Sequence, residues 1–123
     1  NRGAKTVYSG RPETTLHGVL MEIHDVGVLI QGKSSVGKSE CGLDLVRRGF
    51  QLVADDYVTI KCLNDSILIG RGSNMLPFHI EARGLGIIDV SRLFGAMAIR
   101  RDERIVGRVI LRRGVEIARD DHW

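Results

Sequence analysis

Eight consecutive residues have the types and spacing of a phosphate-binding site: Gly32-Lys33-Ser34-Ser35-Val36-Gly37-Lys38-Ser39. Glycines at the two ends let consecutive backbone N–H groups turn inward onto an anion, and a helix opening at the second glycine adds the positive end of its dipole. In this pattern Lys38 reaches the β- and γ-phosphates as a point charge, and the Ser39 hydroxyl goes to magnesium. The expected chemistry is binding of ATP and Mg2+ followed by phosphoryl transfer. Lys33 and Ser34 either touch phosphate or face solvent, and spacing alone leaves the two open. The plain alternative is a glycine-serine turn that caps a helix, and the apolar run before the motif and the amphipathic run after it argue against that.

A second constellation follows, Leu52-Val53-Ala54-Asp55-Asp56. A carboxylate ending a buried strand after such a loop and helix is where magnesium is held, directly or through water. Adjacent strand residues point to opposite faces, so Asp55 and Asp56 do one job together only if the strand has already ended. Two separate roles are expected, one carboxylate placing the metal and the other accepting a proton from an attacking hydroxyl. A polar strand end making a turn is the bland reading. His17 has the chemistry to support a carboxylate, although a lone histidine on a strand is more often structural. His24, His79 and His122 show no metal-ligand spacing.

These residues need elements to position them. Residues 1–13, with Gly3, Gly10 and Pro12, read as an entering segment or linker. Residues 16–23 and 26–30 read as neighbouring strands around a turn at Asp25, the second continuously apolar. Residues 37–48 read as an amphipathic helix with Leu43, Val46 and Cys41 on its apolar side, Lys38, Glu40, Asp44 and Arg47 around them, and Gly49 as its C-terminal stop. Strands are expected at 50–54, 57–62 and 67–69, with a turn at Asn64-Asp65, and closing strands at 97–99, 105–111 and 115–118. Local pattern assigns nothing to residues 81–89. The fold class expected is α/β, a P-loop-containing domain with a mixed, strand-rich sheet.

At 123 residues the chain is expected to be a single domain. Its 18 basic residues are nearly balanced by 15 acidic ones, so a net +3 does not imply nucleic acid. From Arg100 onward seven arginines stand among five acids, which is a docking surface or, more plainly, a solvated strand face. Cys41 and Cys62 form no Cys-x-x-Cys motif, and a reducing cytoplasm is expected. No run reaches the ~18 apolar residues of a membrane span, and no signal-peptide pattern is present.

Several separate motifs together resemble the catalytic domain of bacterial HPr kinase/phosphorylase, over residues 14–100. Thr15-Leu16-His17-Gly18 is similar to the strand carrying that family's active-site histidine, and Gly37-Lys38-Ser39-Glu40 to the end of its P-loop. Arg48-Gly49 and the strand ending in Asp55-Asp56 resemble its catalytic aspartate strand, and Glu81-Ala82-Arg83-Gly84-Leu85-Gly86-Ile87-Ile88 its signature segment. The resemblance implies an enzyme that uses ATP to phosphorylate a serine of the phosphocarrier protein HPr in carbon catabolite regulation, and that removes this phosphate with inorganic phosphate, releasing pyrophosphate. By position it implies Asp55 as the proton acceptor, and as the donor in reverse, with His17 orienting or tuning it. Ser39 with Asp56 or Glu81 would serve magnesium. Arg83 would lie near the phosphates or the partner serine, and Arg100 is a further catalytic candidate. A hexamer is implied as well. Lys33 and Ser35 depart from the family's usual acidic residue and glycine, and the match fades after Arg104. A small-molecule P-loop kinase and a non-catalytic ATP-binding fragment are the alternatives; the signature segment speaks against the first, and the faded C-terminus keeps the second open.

Overall fold

The computed structural model describes residues 13–33, 36–72 and 78–112. Along the chain run β1 (Glu13–His17), β2 (Val19–Ile23), β3 (Val26–Gln31), α1 (Lys38–Arg47), β4 (Gln51–Ala54), β5 (Tyr57–Leu63), β6 (Ile67–Gly72), β7 (His79–Ala82), β8 (Gly86–Asp89), α2 (Val90–Phe94), a 3-10 turn (Ala96–Ala98) and β9 (Asp102–Ile110). Seven strands form one sheet in the order β1-β5-β6-β9-β3-β2-β4, and β7 and β8 form a separate pair. β3 and β9 pair in parallel; the other strand pairs are antiparallel. The architecture is a mixed, strand-rich α/β fold.

β2 shows why the sheet has two packed faces. Its apolar residues 19–21 alternate sides, so Val19 and Met21 pack with Leu43 and Val46 of α1, while Leu20 packs with Leu29, Val53, Ala54 and Val58 on the other face. Burying Leu43 and Val46 contributes about 1.5–3 kcal/mol each, and Gly42 just before them lets helix and sheet close up: a Cβ there would stand 3.1 Å from Val19 Cγ1. α1 opens at Gly37 and ends at Arg48, followed by Gly49 at φ +100°, as a glycine stop requires. Lys38, placed by the sequence pattern among the helix's polar residues, is 7% exposed. The two-residue turn at His24-Asp25, both at positive φ, joins β2 and β3 in the form that matches strand twist, while Asn64 and Asp65, also at positive φ, open a three-residue connection between β5 and β6.

Three segments depart from expectation. Residues 16–23 are not one strand: β1 ends at His17 and pairs with β5, while β2 pairs with β3 and β4. Gly18 stands at the break, where a Cβ would meet the Ile30 carbonyl at 2.8 Å. Residues 97–99 form no closing strand; after Gly95 at φ +96° the chain makes the 3-10 turn, and a single bridge from Ile99 to Leu52 remains. Residues 81–89, unassigned by pattern, hold the hairpin turn and β8. The strand expected at 115–118 lies outside the described residues.

Candidate functional site

β3 and β4 both run antiparallel to β2, so their C-terminal ends lie together where β1 stops and β2 begins. Ligands of α/β sheets bind beyond such strand ends. A cavity of about 230 Å³ opens here, walled by Gly37, Lys38, Ser39 and Glu40 of the α1 start, by Asp55 and Asp56 after β4, by His17 and Val19 at the β1–β2 junction, and by Glu81 and Arg83 of the β7–β8 hairpin.

The loop before α1 is shaped by its glycines. Gly32 sits at φ +152° with a would-be Cβ 2.7 Å from the Leu111 carbonyl, and Gly37 sits at φ +100°; both conformations favour glycine. Lys38 Nζ bends back to donate to the carbonyls of Gly32 (2.7 Å) and Lys33 (3.0 Å), which compensates the burial of its charge. Among the described residues no side chain caps α1, and its first-turn residues Lys38, Ser39 and Glu40 line the cavity, where the positive end of a helix favours an anion. Lys33 is exposed and Val36 half-buried, and neither side chain lines the cavity. Ser34 and Ser35 lie outside the described residues.

Asp55 and Asp56 fall after β4 has ended, in a tight turn closed by the Tyr57 N–H on the Asp55 carbonyl at 2.9 Å. Asp56 at its apex has φ +75°, a rare backbone for such a turn. The two carboxylates therefore face different partners. Ser39 Oγ donates to Asp55 at 3.0 and 3.3 Å. Burial pushes the Asp55 carboxyl up to about 6; the Ser39 hydroxyl and the backbone N–H groups of Glu81 and Asp56 oppose this, and the Asp56 charge adds to it. Asp56 is mostly exposed and meets His17 Nε2 at 2.9 Å. The histidine expected to orient Asp55 thus pairs with its neighbour. The cause is register: His17 stands opposite Tyr57 in the β1–β5 pair, their rings meet edge-on at 5.2 Å, and Asp56 is the adjacent residue.

Glu81 and Arg83 line the cavity, on an arm that packs against α1 through Ile80 and Ala82. Arg100 does not. Its backbone N–H donates to the Leu52 carbonyl, its guanidinium lies 2.6 Å from Glu103, and it lines no part of the cavity. The residue that spacing passed over is Glu40. Its Oε2 accepts the Arg83 N–H at 2.9 Å, and this bond, with its own backbone N–H, holds the carboxyl below the usual range. The signal was present in sequence as an acid in the first turn after the lysine-serine pair.

Four carboxylates, from Glu40, Asp55, Asp56 and Glu81, share this cavity with the cations of Lys38 and Arg83. Among the described residues no three His, Cys, Asp or Glu side chains converge to hold a metal ion by themselves. With Glu40 taken up by the Arg83 N–H, the Ser39 hydroxyl and the carboxylates of Asp56 and Glu81 are a donor set that fits Mg2+ in its usual mode, held by one or two carboxylates together with substrate phosphates.

The family model of the HPr Serine kinase C-terminal domain matches residues 10–118. The chain belongs to this family. It is similar to the HPr kinase/phosphorylases of Bacillus subtilis (53% identical over 94 residues, 76% of this chain and 30% of the relative) and Geobacter sulfurreducens (50% over 99 residues, 80% and 31%). Among solved structures it resembles the Hpr(Ser) kinase/phosphatase from Coxiella burnetii, with a TM-score of 0.74 and 38% identity, over 79% of this chain and 58% of that one. The chain spans about 30% of the length of these curated relatives. No helix among the described residues is long and apolar enough to cross a membrane.

Proposed function

We propose that the chain is a P-loop catalytic domain that uses Mg-ATP to phosphorylate a serine of the phosphocarrier protein HPr, and that returns this phosphate to inorganic phosphate with release of pyrophosphate. The observation that carries the reading is the convergence, in one cavity, of a lysine and serine at an uncapped helix start with a carboxyl bound to that serine and poised near neutrality. Family membership and the relatives' shared name, HPr kinase/phosphorylase, supply the partner. The same reading implies a cytoplasmic enzyme, assembled as a hexamer.

In the forward direction the N–H groups of the α1 first turn and Lys38 hold the phosphates of ATP. Asp55, ionised above about pH 6, takes the proton of the incoming serine hydroxyl. The serine oxygen then bonds to the γ-phosphorus as the bond from that phosphorus to ADP breaks. Run backward with phosphate as nucleophile, an oxygen of inorganic phosphate bonds to the phosphoserine phosphorus, the phosphorus–serine oxygen bond breaks, and protonated Asp55 returns its proton to the serine. A group poised between its two forms suits both directions. Bound Mg2+ would supply neutralisation of phosphate charge, with Ser39, Asp56 and Glu81 as the residues to hold it. Arg83 is placed to meet phosphate or the partner segment.

The test mixes the protein with HPr, ATP and Mg2+ and follows phosphoserine by mass spectrometry. Stoichiometric phosphoserine on HPr is the expected result. ATP binding with no transfer would overturn the reading in favour of a nucleotide-binding module.

A further inference from the structure

β7 has β8 on one edge and, among the described residues, no strand on the other. Backbone N–H groups two residues apart point to the same edge of a strand, and such edge groups need partners. Along this edge they meet carboxylates. The N–H of Glu81 is satisfied by Asp55, and the N–H of Arg83 donates to Glu40 Oε2 at 2.9 Å. Two acids, one after β4 and one in the first turn of α1, thus grip alternate residues of the same arm.

The two grips differ in what else supports them. Up to Ala82 the arm is fixed by packing, with Ile80 and Ala82 buried in the core beside Leu43 and Val46. Beyond it the turn is exposed: Leu85 is 63% exposed, and Gly84 and Gly86, both at positive φ, would have open space around a Cβ. Packing does not place Arg83. What ties it to α1 is the bond to Glu40, one residue after Ser39 and two after Lys38.

We infer that Glu40 is a positioning residue, fixing the β7–β8 turn, and through it Arg83, over the phosphates that the start of α1 receives. Its consequence for rate rests on the proposed phosphoryl transfer; the tether itself does not. Because Glu40 sits on the same helix turn as the phosphate-binding groups, any ligand that settles that turn also settles the hairpin.

The experiment uses the full-length enzyme with E40A and E40Q. The glutamine keeps an oxygen that accepts the same hydrogen bond and removes the charge. Phosphoserine formation by E40A is expected to lose about 10- to 100-fold in kcat, as misplaced groups do, with KM for ATP changed less than about threefold. E40Q is expected to stay within about threefold of the parent in both. An E40Q as slow as E40A, or an unimpaired E40A, overturns the inference. Amide hydrogen exchange at Arg83 reads the tether without turnover: it should be about tenfold faster in E40A than in the parent and E40Q. Equal exchange in parent and E40A also overturns it. If the parent itself fails to phosphorylate HPr, the proposed function falls, and the tether stands or falls with the exchange result alone.

Discussion

Between Asp55 and Asp56 the environment changes within one residue. The first carboxyl is mostly buried and bonded to Ser39, while the second is exposed and paired with His17. Burial raises the Asp55 carboxyl from 3.8 to about 6, so between about pH 4 and 6 the folded state binds more protons than the unfolded chain. Stability therefore falls as pH rises through that window, and above it the fold carries an ionised, partly desolvated group. Asp55→Asn removes that penalty. It is expected to raise stability by on the order of 1 kcal/mol at pH 7.5, with the gain vanishing below about pH 4, as followed by denaturant unfolding without nucleotide or Mg2+. The same variant should lose about 10² to 10⁴ in transfer rate, since an amide takes no proton. Asp56→Asn should instead weaken the Mg2+ dependence of ATP binding; equal effects of the two changes would undo the division between them. The pair was visible in sequence, and so was the expectation of separate roles. That β4 ends at Ala54, letting both side chains turn toward one cavity, depends on a tight turn at a positive φ that aspartate does not announce.

At the scale of elements, what read clearly was what is locally periodic. α1 fell within a residue of its expected ends because Leu43 and Val46 keep helical spacing and Gly49 stops it. The β7–β8 hairpin did not, because each arm has four residues and its stability comes from α1 and the core beneath it, not from its own pattern. Burial of Lys38 was equally hidden, since the carbonyls that compensate it belong to the folded loop. The parallel β3–β9 pair is another tertiary feature with a local mark. It shifts register between Gly27 and Val28, and a Cβ on Gly27 would stand inside contact distance of the Arg104 carbonyl. Gly27→Ala is thus expected to part the two strands and cost about 1–3 kcal/mol or more. Thermal unfolding measures it, and an unchanged melting temperature would mean that the strands approach less closely than this.

The cavity belongs to the whole molecule, because α1, the turn after β4, the β1–β2 junction and the separate hairpin each supply a wall. At about 230 Å³ it is smaller than the ~300–1,000 Å³ of pockets that enclose a drug-sized ligand, and its polar lining suits a phosphate chain. In the proposed function one set of donors, the N–H groups of the α1 start and Lys38, holds the phosphates, with Arg83 as a further cation of the lining. If the reverse reaction is a phosphorolysis, inorganic phosphate must therefore occupy the place that the γ-phosphate of ATP takes in the forward direction. One anion site would serve two substrates, and each should exclude the other. Phosphoserine-HPr incubated with Mg2+ and phosphate is expected to lose its phosphate and yield one pyrophosphate per HPr released. ATP should inhibit this competitively with phosphate, and Lys38→Ala should abolish both directions together. Free phosphate without pyrophosphate would identify a simple hydrolysis, in which water rather than phosphate is the nucleophile and the floor of the cavity has no second substrate to hold. Inhibition by ATP that more phosphate fails to relieve would place the two anions at separate sites, and the donors of the α1 start would then account for only one of them.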